Sequence, residues 1–277
     1  MNDELYAPRA NADGTYETLS VVKEGAIDWL TLNRPSALNA MSRTMMLELQ
    51  HYFGALYTDH SVRVVVLTGA GRGFCAGLDL KEDRIGDESG AVAGLRVQRR
   101  VSEIVMRMRR APQPIIALIN GPASGGGFAL ALASDIRIAA PAARMNAAFI
   151  RIGLTACDVG VSYFLPRLVG SALASELLLT GRFIDAQRAQ QVGLVSQIVA
   201  QEELLSAGRS LAQEILGNSP VGVRLTKECL NMSIDAGSLE AVIAMEDRQQ
   251  ILVAQTGDMR EGVGAFLEKR KPEYHDR

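Results

Sequence analysis

Histidine is scarce in this chain: His51, His60 and His275 are the only three in 277 residues. None lies in a glycine-rich segment, so a Ser-His-Asp or Cys-His mechanism would have to recruit one from elsewhere in the fold. A histidine-rich metal site lacks ligands for the same reason, and all three are expected at the surface. Cysteine is as sparse. Cys75, Cys157 and Cys229 are too far apart for a disulfide framework or a zinc site, so no metal is expected. Aromatic residues make up only 5%, which gives little for stacking on bases. Charge of one sign is missing too: 29 Lys and Arg against 31 Asp and Glu leave a formal −2, not the basic footprint of a nucleic-acid binder. No apolar run approaches the ~20 residues that span a bilayer. The opening stretch MNDELYAPRANADG is polar, with no apolar core of a secretory signal. The expectation is a cytoplasmic protein with no nucleic-acid partner and no membrane span.

What is present is an ordinary globular balance, 48% hydrophobic and 22% charged, enough for one large domain or a domain with a helical appendage. Thr18–Val22 and Ile27–Leu32 read as strands of a hairpin turning at Lys23–Ala26. Ser42 precedes Arg43–Tyr57, where Met46, Leu49, Phe53 and Leu56 have helical spacing. Val62–Thr68, Pro112–Asn120 and Ser134–Ala139 are apolar runs of the kind buried on both faces, with a helical pattern over Val92–Arg110 between the first two. Strands alternating with helices predict a largely parallel α/β sheet. Gly86–Gly94 reads as a mobile surface loop. From about Ser171 the pattern is nearly all helix. Expected caps are Asp185 before Ala186–Val192, Ser219 before Pro220, Ser238 before Leu239–Ala254, and Asp258 before Met259–Lys269.

Two glycine-rich turns each follow a buried strand. In VVVLTGAGRGFCAGLDL, Gly71 to Ala76 fits the letters of a dinucleotide fingerprint, but a broken acidic stretch follows where that motif needs a helix. In IIALINGPASGGGFALALASD, three glycines precede an apolar helix. They leave backbone N–H groups open at the positive end of the helix dipole, which suits a developing oxyanion; the alternative is close helix–strand packing with no ligand. Two such turns at the carboxyl ends of parallel strands favour a ligand site.

Taken with LTLNRPSALNAM, LPRLVGSALASELLLTGRFIDAQRAQQVGLVSQIV and GVGAFLEKRKPEY, these turns resemble the crotonase, or enoyl-CoA hydratase/isomerase, superfamily. The resemblance runs through most of the chain. It implies an α/β fold, a ββα spiral core over 1–200 with a helical C-terminal trimerisation region over 201–277. It also implies a homotrimer or dimer of trimers and an acyl-CoA substrate, with coenzyme A entering as part of the thioester and no separate cofactor. Carried over residue by residue, Leu78 and Gly126 would supply the oxyanion-hole N–H groups. Arg34, Ala37 and Ala76 would lie near coenzyme A, and Phe266 and Lys269 would close on the coenzyme A of a neighbouring subunit.

The sequence departs from the hydratase pattern where it matters chemically. The two positions that carry glutamates in hydratases of this family are Ala129 and Phe149, lining the acyl site but unable to exchange protons. One carboxylate falls nearby, Asp158, in a stretch similar to the segment of dienoyl-CoA isomerases that carries an active-site aspartate. It would serve as the proton-transfer group of an isomerisation, or as a nucleophile, or orient a water; alternatively it is the N-cap of a helix over Val159–Leu168. Asp79 and Asp135 read as structural. The resemblance thus implies an enoyl-CoA hydratase/isomerase-type enzyme, with a non-catalytic acyl-CoA-binding protein as the alternative.

Overall fold

The computed structural model describes residues 10–11, 14–82 and 90–277. The first elements follow the sequence pattern. Strands β1 (Leu19–Glu24) and β2 (Ile27–Leu32) form an antiparallel hairpin with Glu24 opposite Ile27. Helix α1 (Arg43–Ala55) starts where Ser42 accepts a hydrogen bond from the Met45 N–H at 3.1 Å. Strand β3 (Val64–Gly69) runs parallel to β2, and helix α2 (Ala91–Arg110) returns the chain to β4 (Ile115–Ile119), parallel to β3. The predicted Gly86–Gly94 loop is therefore shorter than read: its end is helical from Ala91, and residues 86–89 lie outside the described residues.

The chain continues through β5 (Pro122–Ser124), α3 (Gly126–Ala133), β6 (Ile136–Ala139) and β7 (Arg144–Asn146), then a short 3-10 helix, Ala148–Ile152. Helices α4 (Val161–Val169) and α5 (Ser171–Thr180), strand β8 (Ile184–Asp185), helix α6 (Ala186–Gln191) and strand β9 (Gln197–Ile198) follow. The large sheet has the order β1-β2-β3-β4-β6-β9, and a second, small sheet the order β5-β7-β8. Single bridges between Met41 and Leu78 and between Cys75 and Ala123 extend the second layer upstream. Each repeat is thus a long strand in the large sheet, a short extended piece in the second layer, and a helix: β2, Met41, α1; β3, Cys75, α2; β4, β5, α3. This is a ββα spiral. The turn read at Gly121-Pro122 is the first step of a second-layer strand, too short to leave an alternation in the sequence.

The continuous apolar runs have a simple cause. On β3, Val65 and Leu67 enter one core with α1, α2 and α3, while Val64 and Val66 enter another beneath the sheet. On β4, Ile115, Ala117 and Ile119 face the first core, Ile116 and Leu118 the second. Both faces are covered, so neither run alternates apolar with polar residues. Each buried valine or isoleucine contributes about 1.5–3 kcal/mol relative to exposure.

Four helices close the chain: α7 (Leu204–Leu216), α8 (Pro220–Ser233), α9 (Leu239–Ala254) and α10 (Gly257–Glu268). Leu204 and Ala212 of α7 fill the second core. Lys227 of α8 is buried, donating to the Gln113 carbonyl and pairing with Asp135, each at 2.8 Å. Asp135 also accepts from the Ile115 N–H, which bears out its structural reading. Two expectations fail here. Thr256, not Asp258, caps α10, accepting from the Met259 N–H at 3.1 Å. Asp258 is buried instead and takes the backbone N–H groups of His275 and Asp276, fastening the C-terminal tail. His51 is half-buried rather than at the surface, its Nδ1 2.9 Å from the Tyr16 hydroxyl.

Candidate active site

The two glycine turns meet backbone to backbone. Asn39 donates to the Ala70 and Gly73 carbonyls, and Asn120 to those of Gly69 and Gly71, so the first turn is clamped by two buried amides. No helix follows Ala76. Cys75 joins the second layer instead, with the Ser124 N–H donating to its carbonyl at 2.9 Å. That removes the structural requirement of the dinucleotide fingerprint. Asn39 and Asn120 carried no signal in the sequence, because each acts on carbonyls some thirty or more positions away.

Next along the chain, the Met41 N–H donates to the Gly77 carbonyl at 2.7 Å and the Asp79 N–H to the Met41 carbonyl at 3.0 Å. With residues 77 and 79 facing Met41, the alternation of a strand turns the Leu78 N–H to the other side. Gly77 has φ +94°, and a Cβ there would sit 2.7 Å from the Ser124 oxygen and 3.4 Å from the Gly126 nitrogen. Only glycine lets the two segments close this far. Gly126 opens α3, with Gly125 before it at φ +52°. Among the described residues, neither the Leu78 nor the Gly126 N–H has a protein acceptor. At the start of a helix an unpartnered N–H adds to the positive dipole end, so this pair can receive an oxyanion.

Leu78 and Gly126 line a cavity of about 500 Å³ whose other walls are mostly apolar, among them Met46, Val97, Val101 and Phe149. A Cβ at Gly125 would lie 3.4 Å from the Phe149 ring, so the phenyl group packs directly beside the α3 N-terminus. Ala76 and Asp158 line the same cavity. Ala129 does not: it is buried in the core one turn into α3.

Asp158 is not the cap of α4. The helix begins two residues later than read, with Gly160 as its N-cap and no side-chain cap bond; the Asp158 backbone carbonyl, not its carboxylate, accepts from the Val161 N–H at 2.9 Å. Val159, at φ +39°, and Gly160, at φ +86°, turn the chain just before α4, and Asp158 lines the cavity. Its Oδ1 accepts from the Val159 N–H at 2.8 Å and from the Gln98 side-chain amide. Burial pushes the carboxyl above the usual carboxylate range, against those two hydrogen bonds. Gln98 escaped the sequence reading because an exposed glutamine on a helix has no distinguishing pattern; only its neighbours Gly94, Val97 and Val101, one face of α2, mark it as lining the cavity.

The other predicted contacts are more scattered. The Arg34 guanidinium donates to the Ala40 carbonyl at 2.6 Å, to Asp79 at 2.9 Å and to Glu82 at 3.0 Å, locking the loop before α1 to the loop after Leu78. Asp79 is buried in this pair, as its structural reading requires. Ala37 ends a 3-10 turn beside it, half-buried. Neither Arg34 nor Ala37 lines the cavity, though Glu82 does. Phe266, 82% exposed, and Lys269, exposed at the C-cap of α10 with φ +55°, do not line this cavity.

Known proteins share the sequence and the fold. The family model for enoyl-CoA hydratase/isomerase matches residues 22–277. A probable enoyl-CoA hydratase of Mycobacterium tuberculosis is 43% identical over 252 residues, which is 89% of this chain and 88% of that protein. The 1,2-epoxyphenylacetyl-CoA isomerase of Escherichia coli is 38% identical over 258 residues, 92% of this chain and 97% of its own. Among solved structures, the enoyl-CoA hydratase of Bacillus anthracis superposes with a TM-score of 0.88 at 35% identity, over 94% of this chain and 100% of that one. The match runs from within β1 to Arg277 and carries the ββα spiral with it: the chain is an enzyme of the enoyl-CoA hydratase/isomerase family, built on the crotonase fold.

Proposed function

We propose that this protein isomerises an acyl-CoA thioester through an enolate, with the Leu78 and Gly126 N–H groups holding the thioester oxygen and Asp158 moving the proton. The observation that carries this is the pairing of two unpartnered backbone donors and one half-buried carboxylate around a single cavity. Ionised Asp158 takes a proton from C2 of a 3-enoyl thioester; the C–H electron pair spreads onto the thioester oxygen, where two N–H donors stabilise it. The same carboxyl then returns the proton to C4, leaving the double bond conjugated. Coenzyme A enters and leaves as part of the substrate. Ala76 lines the cavity and Arg34 pairs with Glu82 of its wall, which supports placing the coenzyme A portion on this side, with Ala37 in the turn that follows Arg34.

Hydration needs two acid–base groups, one for water and one for the α-carbon. Among the described residues the second carboxylate lining the cavity is Glu82, held by the Arg34 guanidinium, and the Phe149 ring fills the wall beside Gly125. These residues favour isomerisation over addition of water. Exposed apolar side chains on α8 and α9, including Leu230, Met232, Leu239 and Ile251, support assembly into homotrimers, with Phe266 and Lys269 reaching a neighbouring subunit's coenzyme A.

Absorbance and mass spectrometry with 2-enoyl-, 3-enoyl- and dienoyl-CoA thioesters test the reading. The expected result is a shifted chromophore at unchanged mass. A gain of one water on a 2-enoyl substrate would overturn it, and tight binding with no turnover on any substrate would select the acyl-CoA-binding alternative.

A further inference from the structure

We infer that Gln98 is a positioning residue, holding Asp158 by Oδ1 so that Oδ2 is the carboxylate oxygen that exchanges protons with the bound acyl group. The inference rests on the reading of Asp158 as the proton carrier. Gln98 lies on the cavity-lining face of α2, 60 positions before Asp158, so their hydrogen bond is a tertiary contact and not a local turn. Two N–H donors, the Gln98 amide and the Val159 backbone, converge on Oδ1. Among the described residues no protein donor reaches Oδ2.

That asymmetry decides which oxygen reacts. An oxygen already accepting two N–H bonds cannot take a proton without disturbing them, whereas a carboxyl protonated on Oδ2 keeps both, because its Oδ1 remains an acceptor. Ionised and protonated Asp158 therefore share one set of hydrogen bonds, and proton gain and loss need no rearrangement of the loop at Val159. As a proton leaves carbon, the O–H bond forms at Oδ2 and the electron pair passes to the thioester oxygen; the return step breaks that O–H bond and makes the new C–H bond. An amide suits the task because it stays a neutral donor in both states. An arginine or lysine there would favour the ionised form by its charge and weaken the carboxylate as a base. Among the described residues, the other ionisable groups lining the cavity are Arg43, Glu82 and Cys157.

The test compares Gln98→Met, Gln98→Glu, Asp158→Asn and the Gln98→Met/Asp158→Asn double variant in the full-length protein, with 3-enoyl-CoA as substrate. Gln98→Met keeps length and removes the donor. It is expected to lower kcat roughly ten- to a hundredfold through misplacement of the carboxylate. The thermal transition should hold at its wild-type value, since Gln98 is exposed. The acid limb of the pH–rate profile should move to higher pH, because the lost donor favoured the ionised form. Gln98→Glu should move it further, by setting a second carboxylate beside the first. On the Asp158→Asn background, Gln98→Met should change the residual rate less than about twofold. Wild-type kcat and pH profile in Gln98→Met, with Asp158→Asn inactive, would overturn the positioning role alone. Wild-type turnover in Asp158→Asn would overturn the proton-carrier reading, and this inference with it.

Discussion

The two sides of the cavity are built differently. At the Leu78–Gly126 side the functional groups are backbone N–H donors, fixed by bridges between strands, by glycines that admit no side chain, and by the buried amides of Asn39 and Asn120. At the Asp158 side there is one half-buried carboxylate on a loop, steadied by its neighbour's N–H and by an exposed glutamine. On the proposed function, charge stabilisation would thus be part of the fold itself, and proton transfer a side-chain addition to it. A scaffold of this kind can keep its oxyanion site while the proton-carrying groups change from one relative to the next.

Variants on each side sharpen the contrast. Asp158→Asn has the largest expected effect on rate, a loss of about 10²–10⁴-fold in isomerisation, with acyl-CoA affinity kept. It should not destabilise the fold. A carboxyl whose folded pKa is raised holds its proton more tightly when folded, so its contribution to stability is greatest in acid and declines as pH rises through the folded value. Removing that charge at neutral pH is therefore neutral or slightly stabilising, readable as an unchanged or higher Tm. In the wild type, activity should fall as pH is lowered through a limb above the ordinary carboxylate range.

On the other side, Gly77→Ala is expected to cost both rate and stability. Its Cβ would press on the Ser124 carbonyl oxygen, and φ +94° is strained for alanine. Displacing one oxyanion donor is worth about 10²–10³-fold in kcat, and Tm should fall with it. A Gly77→Ala protein with reduced rate but wild-type Tm would break the claim that this half of the site and the fold are one structure. Away from the cavity, Lys227→Met should reduce stability by about 3 kcal/mol in urea unfolding, by leaving Asp135 without its buried partner, while kcat of the folded fraction stays the same. Ser42→Ala should cost about 1 kcal/mol through loss of the α1 cap, again without changing kcat.

The same contrast explains what the sequence made legible. The long strands announced themselves as apolar runs because both faces are covered, and the caps at Ser42, Asp185, Ser219 and Ser238 formed as read because capping is local. The second sheet was invisible: Pro122–Ser124 and Arg144–Asn146 are three residues each, too short for any periodicity to show. Thr256 displaced Asp258 as a cap because the aspartate is drawn into a tertiary contact with the tail, which no local rule sees. At the site, the glycines and Asp158 stood out as residue types, but the clamp of Asn39 and Asn120 and the partnership of Gln98 depend on pairings across the fold. That the glycines of residues 71–76 do not open straight into a helix was legible in part, from the acidic stretch after Ala76; Cys75 enters the second layer instead.

The most direct test of the account measures the 3-enoyl-CoA isomerisation rate of the wild type and of Asp158→Asn, together with the Kd of each for a saturated acyl-CoA of the same chain length. Isomerisation at unchanged mass is expected of the wild type and a loss of at least about a hundredfold of the variant, with the same Kd for both. Equal rates in the two proteins, or hydration of a 2-enoyl thioester that survives the substitution, would contradict it.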